Sequence, residues 1–191
     1  MPRNETQTRS DLEFRALEAP EAAKLVACLR RCYGESHVDP GLYDAAAIAA
    51  AMTAGLRRSA VAVTPDDEVV AHLGIALRWP GDSTADVGLT LVDPSYRGRG
   101  LARRLSLEIG RIALQMGLIG LHDYPVTVHG ATQRLASEHA LSVGLLLDNL
   151  PADVHFNAME AGAGGDASAA RGTWAVPAPA ATRSSPTPSI A

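Results

Sequence analysis

Aromatic side chains are scarce in this chain, at 4% of its 191 residues, so its core must be filled mainly by the Leu, Val, Ile and Ala that dominate its 47% hydrophobic content. Cysteine is scarcer still. Cys28 and Cys32 are the only two, and their spacing fits neither the C-x-x-C redox motif nor a four-ligand zinc set. They read as reduced structural thiols, and His37 nearby does not turn them into a metal site. Positive charge is not in excess either: 17 basic against 21 acidic residues leave a net charge of −4. That balance argues against a general electrostatic grip on nucleic acid or an anionic membrane, so any anion site must be local. No apolar run approaches the roughly 20 residues of a membrane helix, and Met1 to Ser10 carry no signal-type apolar segment. The expected setting is the cytoplasm, and the length suits one domain.

The pattern along the chain predicts strands and helices without regular alternation. Leu12, Phe14 and Ala16 alternate in a first strand over Asp11 to Leu17. Ala22, Leu25, Val26, Leu29 and Tyr33 recur at helical spacing and Gly34 is placed to end that helix, while Pro40 to Ala54 reads as a second, Ala-rich one. Strands are expected at Ser59 to Thr64 and Val69 to Leu77, joined by a hairpin turn at Pro65, Asp66 and Asp67, and again at Ala85 to Val92. Gly98 to Leu118 places Leu101, Leu105, Ile109, Ile112 and Met116 on one stripe, the mark of an amphipathic helix on a sheet. A strand at Leu121 to Val128, a short helix at Thr132 to Leu141, and closing strands at Gly144 to Leu147 and Val154 to Phe156 complete the set. Residues 1–10 are expected to be flexible, 11–157 to form the domain, and the Ala, Gly, Pro and Ser-rich residues 158–191 to be disordered. The class is α+β, with a mixed sheet and not a doubly wound one.

The segment with chemical content is Val92-Asp93-Pro94-Ser95-Tyr96-Arg97-Gly98-Arg99-Gly100-Leu101-Ala102, where a strand ends and a helix begins through two glycines. Amides at a helix start lack intrahelical partners and, with the helix dipole, favour an anion. Arg97, Arg99, Arg103 and Arg104 cluster here, and a Debye length of about 8 Å screens the more distant carboxylates. A dinucleotide fingerprint starting at Gly98 fails, because its sixth position is Arg103. A Gly-Lys-Ser/Thr phosphate loop fails for want of a lysine.

Arg97-Gly98-Arg99-Gly100-Leu101-Ala102 matches every fixed position of Gln/Arg-x-x-Gly-x-Gly/Ala, the pyrophosphate loop of the GCN5-related N-acetyltransferases (GNAT). The chain resembles that family from about residue 11 to 156, in the order of its elements and in Leu89 to Pro94 ahead of the loop. Val126 to His129 and the stretch from Gly144 to Phe156 look like a divergent bacterial branch. The resemblance implies a GNAT-like, mainly antiparallel central sheet flanked by helices in a single domain. It implies acetyl-CoA or another acyl-CoA as cosubstrate, with no metal: Leu91 and Val92 would pair with the pantetheine arm, and amides from Gly98 through Arg99, Gly100 and Leu101 to Ala102, beside Arg97, would hold the pyrophosphate. The partner would be an amine acceptor, with neither nucleic acid nor membrane involved, and a homodimer is allowed.

Such a reaction needs a group to take the amine proton and one to protonate the leaving thiolate. Asp86, His72 and His129 are the candidates for base or relay. The family's usual Tyr, four residues ahead of a Gly-Phe pair, falls on Ala136 if Ala140-Leu141 replaces that pair, which leaves Tyr124 or a water as the acid. Three readings follow: an N-acyltransferase in which the amine attacks directly, a non-catalytic acyl-CoA-binding regulatory or interaction module, or a plain interaction domain that has lost the ligand.

Overall fold

The computed structural model describes residues 11–124, 130, 133–135, 141–147 and 169–175. Their strands form one sheet in the order β1-β2-β3-β4-β5-β7-β6. The strands are β1 (Glu13–Ala16), β2 (Arg57–Val63), β3 (Val69–Ala76), β4 (Thr84–Val92), β5 (Gly120–Asp123), β6 (Leu141–Leu147) and β7 (Ala169–Ala175). Every pairing is antiparallel except β4 with β5. This is the mixed, mainly antiparallel α+β sheet that the sequence predicts.

Helices pack on both faces. Helix α3 (Leu101–Gln115) buries Leu101, Leu105, Ile109 and Ile112 against Ala60, Ala62, Leu73 and Ile75 of β2 and β3. The opposite face carries α1 (Ala22–Tyr33) and α2 (Ala45–Thr53), whose Leu25, Leu29, Ile48 and Met52 meet Val61, Val69 and Leu91. Leu and Ile at helical spacing put both stripes on the sheet, as the periodicity requires. Cys28 and Cys32 are buried free thiols in the second of these cores.

Boundaries shift where backbone conformation overrides side-chain pattern. The second helix does not run unbroken from Pro40: a 3-10 turn, Pro40–Tyr43, ends at Asp44, whose extended backbone (φ −94°, ψ 101°) breaks the helical run. Asp44 then caps α2, its carboxylate accepting from the amides of Ala46 (2.8 Å) and Ala47 (3.1 Å). Helix α3 begins three residues later than expected, because Gly98 and Gly100 are held left-handed (φ +75° and +73°). The hairpin turn at Pro65 to Asp67 closes as expected, with the Asp67 amide on the Thr64 carbonyl (2.9 Å).

The largest correction lies in the segment expected to be disordered: Ala169–Ala175 is a strand, inserted between β5 and β6. Its register sets Trp174, the one large apolar residue of that segment noted in the sequence, opposite Leu121. A central strand is held by backbone hydrogen bonds that any residue but proline can make, so an Ala- and Gly-rich composition does not exclude one. Leu141, assigned to a helix, opens β6, and of that helix residues 133–135 are helical. Residues 1–10, the expected strand at Val154 to Phe156, and the rest of the tail lie outside the described residues.

Leu105 of helix α3, which follows the glycine loop, is fully buried against the sheet. Leu105→Ala should cost about 2 to 5 kcal/mol in chemical denaturation; a smaller loss would show that the helix is held by other contacts.

Candidate active site

Among the described residues, strand β4 pairs on both sides only over its first half. Its parallel register with β5 runs from Thr84↔Gly120 to Val87↔Asp123, and beyond that point the edge of β4 borders a cavity of about 600 Å³. This is the size range of small-molecule and cofactor sites. Gly88, Leu89, Thr90, Leu91 and Val92 line it from β4, and Arg97 to Ala102 from the loop and the start of α3. Cys32 and Tyr33 come from the end of α1, His37 and Asp39 from the segment after it, and Asp123 and Tyr124 from the end of β5.

The loop is pinned at its entrance. Asp93 is buried and ion-paired with Arg31 of α1, while its other oxygen accepts from the Ser95 amide (2.9 Å). Arg31 also donates to the Val69 carbonyl (2.6 Å), so α1, β3 and the loop share one anchor. The arginines are placed one by one: Arg97 donates to the Val92 carbonyl (3.2 Å), and Arg99 donates to the Ser95 carbonyl (3.0 Å) while its guanidinium lies 4.8 Å from the Tyr96 ring centroid. Arg104 stacks on Phe14 at 3.8 Å. A Cβ built on Gly98 or Gly100 would meet no protein atom within 4 Å. Packing therefore does not demand glycine at these positions; the left-handed backbone does, and the bare loop leaves room for a ligand to approach its amides.

All eight residues expected to bind the coenzyme, from Leu91 and Val92 to Ala102, border this one cavity, and so does Asp86. His72 does not. It is 1% exposed, its Nδ1 sits 2.7 Å from the Leu89 carbonyl oxygen and its Nε2 2.9 Å from Ser59 Oγ, and burial lowers its pKa to about 4. With both ring nitrogens engaged inside the sheet, His72 is no proton acceptor for a bound substrate. His129 lies outside the described residues.

Several cavity residues escaped the sequence reading. Asp123 ends β5 beside the point where the described pairing of β4 and β5 ends, and burial pushes its carboxyl up to about 6 against the pull of the Tyr124 amide. The available signal was positional, since ligands sit beyond the carboxyl ends of parallel strands. Burial pushes Tyr33 up to about 12. His37 packs edge-on against Tyr33 (centroids 4.9 Å apart), accepts at Nδ1 from the Asp39 amide (3.1 Å) and is held below its ordinary pKa by burial. Nothing in the spacing of Tyr33, His37 and Asp39 marks them, because a loop brings them to the cavity. Among the described residues no group of three or more His, Cys, Asp or Glu could hold a metal ion, and no helix is long and apolar enough to cross a membrane.

The model of the acetyltransferase (GNAT) family matches residues 23–131, more than half of the chain. The chain belongs to the GNAT acetyltransferase family. No curated protein matches it. Among solved structures, a candidate phosphinothricin N-acetyltransferase superposes with a TM-score of 0.61 at 18% identity, covering 87% of this chain and 99% of that one. The spermidine/spermine N-acetyltransferase of Vibrio cholerae gives 0.64 at 13%, covering 88% and 95%. A candidate acetyltransferase of Acinetobacter baylyi gives 0.64 at 14%, covering 87% and 93%. At these identities the likeness is one of fold. Within the GNAT fold the cavity lies against β4 and the glycine loop, and the open space at Gly98 and Gly100 fits a pyrophosphate held by backbone amides.

The half-buried Asp123 carboxyl carries a testable cost. Its raised pKa means that folding favours the protonated form, so its ionisation lowers stability as pH rises from about 4 to 6, and the loss then stays constant. Asp123→Asn should therefore be more stable than the parent at pH 8 by about 2 to 3 kcal/mol and equal to it below pH 4. Denaturation across that pH range checks this, and a difference independent of pH would place the carboxylate in solvent.

Proposed function

We propose that this GNAT protein is an N-acyltransferase that moves an acetyl or other acyl group from acyl-CoA to an amine by direct attack. The observation that carries the reading is the one cavity that joins the glycine loop, the second half of β4 and the half-buried carboxyl of Asp123. Amides from Gly98 to Ala102, with Arg97 alongside, would hold the pyrophosphate, and backbone groups of Leu91 and Val92 would bind the pantetheine arm as an added strand does. Acyl-CoA supplies the activated thioester.

The amine nitrogen forms a bond to the thioester carbonyl carbon, the carbon–sulfur bond breaks, and coenzyme A leaves as a thiolate that must be protonated. Backbone N–H groups of Leu91 or Val92 would stabilise the charge on the carbonyl oxygen. Asp123 is best suited to accept the ammonium proton, since a carboxyl pushed up to about 6 is a stronger base than an ordinary aspartate. Asp86, on the same cavity wall, is the second candidate, and Tyr124 stands beside Asp123 to protonate the thiolate.

The test is thermal denaturation with acetyl-CoA, followed by thiol release with a panel of primary amines. A ligand at 100 times its Kd adds about 2.7 kcal/mol to stability, so saturating acetyl-CoA should raise the melting temperature, and coenzyme A release should require an added amine. Gly100→Glu, which sets a carboxylate in the loop, should abolish the shift, while Gly100→Ala, which bears the same left-handed strain without the charge, should keep part of it. Binding without turnover on any amine would favour a non-catalytic acyl-CoA-binding module, and no shift at saturation would remove the acyl-CoA reading.

A further inference from the structure

The pairing of β3 with β4 is irregular at one place. His72 faces Leu91 and Gly74 faces Gly88, so the single residue Leu73 on β3 is opposed by two, Leu89 and Thr90, on β4. This is a β-bulge, which kinks its strand and re-aims the groups that follow. Leu89 takes φ +52°, a left-handed conformation that costs a non-glycine residue on the order of 1 to 2 kcal/mol and persists only where its surroundings enforce it.

His72 provides that enforcement. A carbonyl oxygen can only accept, so the short contact to Leu89 requires the proton on Nδ1. The neutral ring then accepts at Nε2 from the Ser59 hydroxyl, which lies within the same sheet and is itself buried. Gly74 makes room: a Cβ there would sit 3.0 Å from His72 Cε1, so a side chain would press on the ring. Ser59, His72 and the Leu89 carbonyl thus form one chain of hydrogen bonds across β2, β3 and β4, ending at the residue where β4 deviates.

We infer that His72 is a positioning residue that locks the β4 bulge and so aims the backbone from Leu89 to Val92 into the cavity; its functional side rests on the acyl-CoA reading above. The bulge is fixed by a donor at Nδ1, which the Leu89 carbonyl requires, and the Ser59 hydroxyl satisfies the ring's other nitrogen.

Three variants test the clamp through a readout that needs no activity. His72→Leu keeps apolar bulk and removes the donor, His72→Asn keeps a donor at the Nδ1 position, and Ser59→Ala removes the hydroxyl. In the ligand-free protein, His72→Leu should speed amide hydrogen exchange of Leu89 to Val92 at least about tenfold relative to amides of β2 and α3, and His72→Asn should restore most of it. Nitrogen NMR should show His72 protonated at Nδ1 in the parent and still so in Ser59→Ala, because the Leu89 carbonyl can only accept. Equal acceleration across the whole sheet, or protonation at Nε2 alone, would overturn the clamp. With acetyl-CoA, His72→Leu should lose at least tenfold in kcat/KM, with His72→Asn intermediate. A clamp that proves real by exchange while His72→Leu keeps parental binding and turnover would overturn its positioning role. Failure of the parent itself to bind acetyl-CoA would instead overturn the acyl-CoA reading, and with it the functional half of this inference, while exchange and tautomer still judge the clamp.

Discussion

The cavity lies where the described pairing of β4 with β5 ends, while β4 stays paired with β3 as far as Val92. Up to Val87 it is hydrogen-bonded to β3 on one side and β5 on the other. Beyond Val87 the bulge at Leu89 turns it, and among the described residues the ladder with β5 ends at Asp123. Backbone polar groups need partners wherever water is excluded, and the proposed role of Leu91 and Val92 in binding an extended ligand rests on the edge of β4 that borders this cavity. The glycine loop, the end of α1 and the end of β5 are all arranged around that edge.

Electrostatics at this site is local and held in place by structure. The chain carries a net charge of −4, yet the loop is bordered by arginines whose guanidinium groups are steered by carbonyls and aromatic rings. Arg97 reaches back to Val92, Arg99 folds over Tyr96, and Arg104 lies on Phe14. Each such stacking contact contributes about 0.5 to 1 kcal/mol where exposed, and together they limit the freedom of side chains that would otherwise sweep solvent. The Arg31–Asp93 pair does the same for the backbone, tying the loop entrance to α1.

Much of this was legible in the residues themselves. The stripe of Leu101, Leu105, Ile109 and Ile112 placed α3 on the sheet, and Arg97-Gly98-Arg99-Gly100-Leu101-Ala102 marked the anion loop, because helical period and glycine chemistry are local properties. His72 was misjudged as a proton relay for a matching reason. A strand histidine reads the same in sequence whether it faces a cleft or, as here, is sealed between Ser59 and a neighbouring carbonyl. Asp123 was underrated because its raised pKa comes from burial under elements distant in the chain, and β7 was missed because its stability lies in backbone bonds to β5 and β6.

The sequence by itself determined the fold class, the helix-and-loop anchor and the family resemblance, since these depend on the spacing of neighbours along the chain. Only the tertiary structure decided which titratable groups meet the cavity and which are buried away from it. Burial, desolvation and the hydrogen bonds that orient an imidazole or a carboxyl arise between strands whose register no single stretch of sequence encodes.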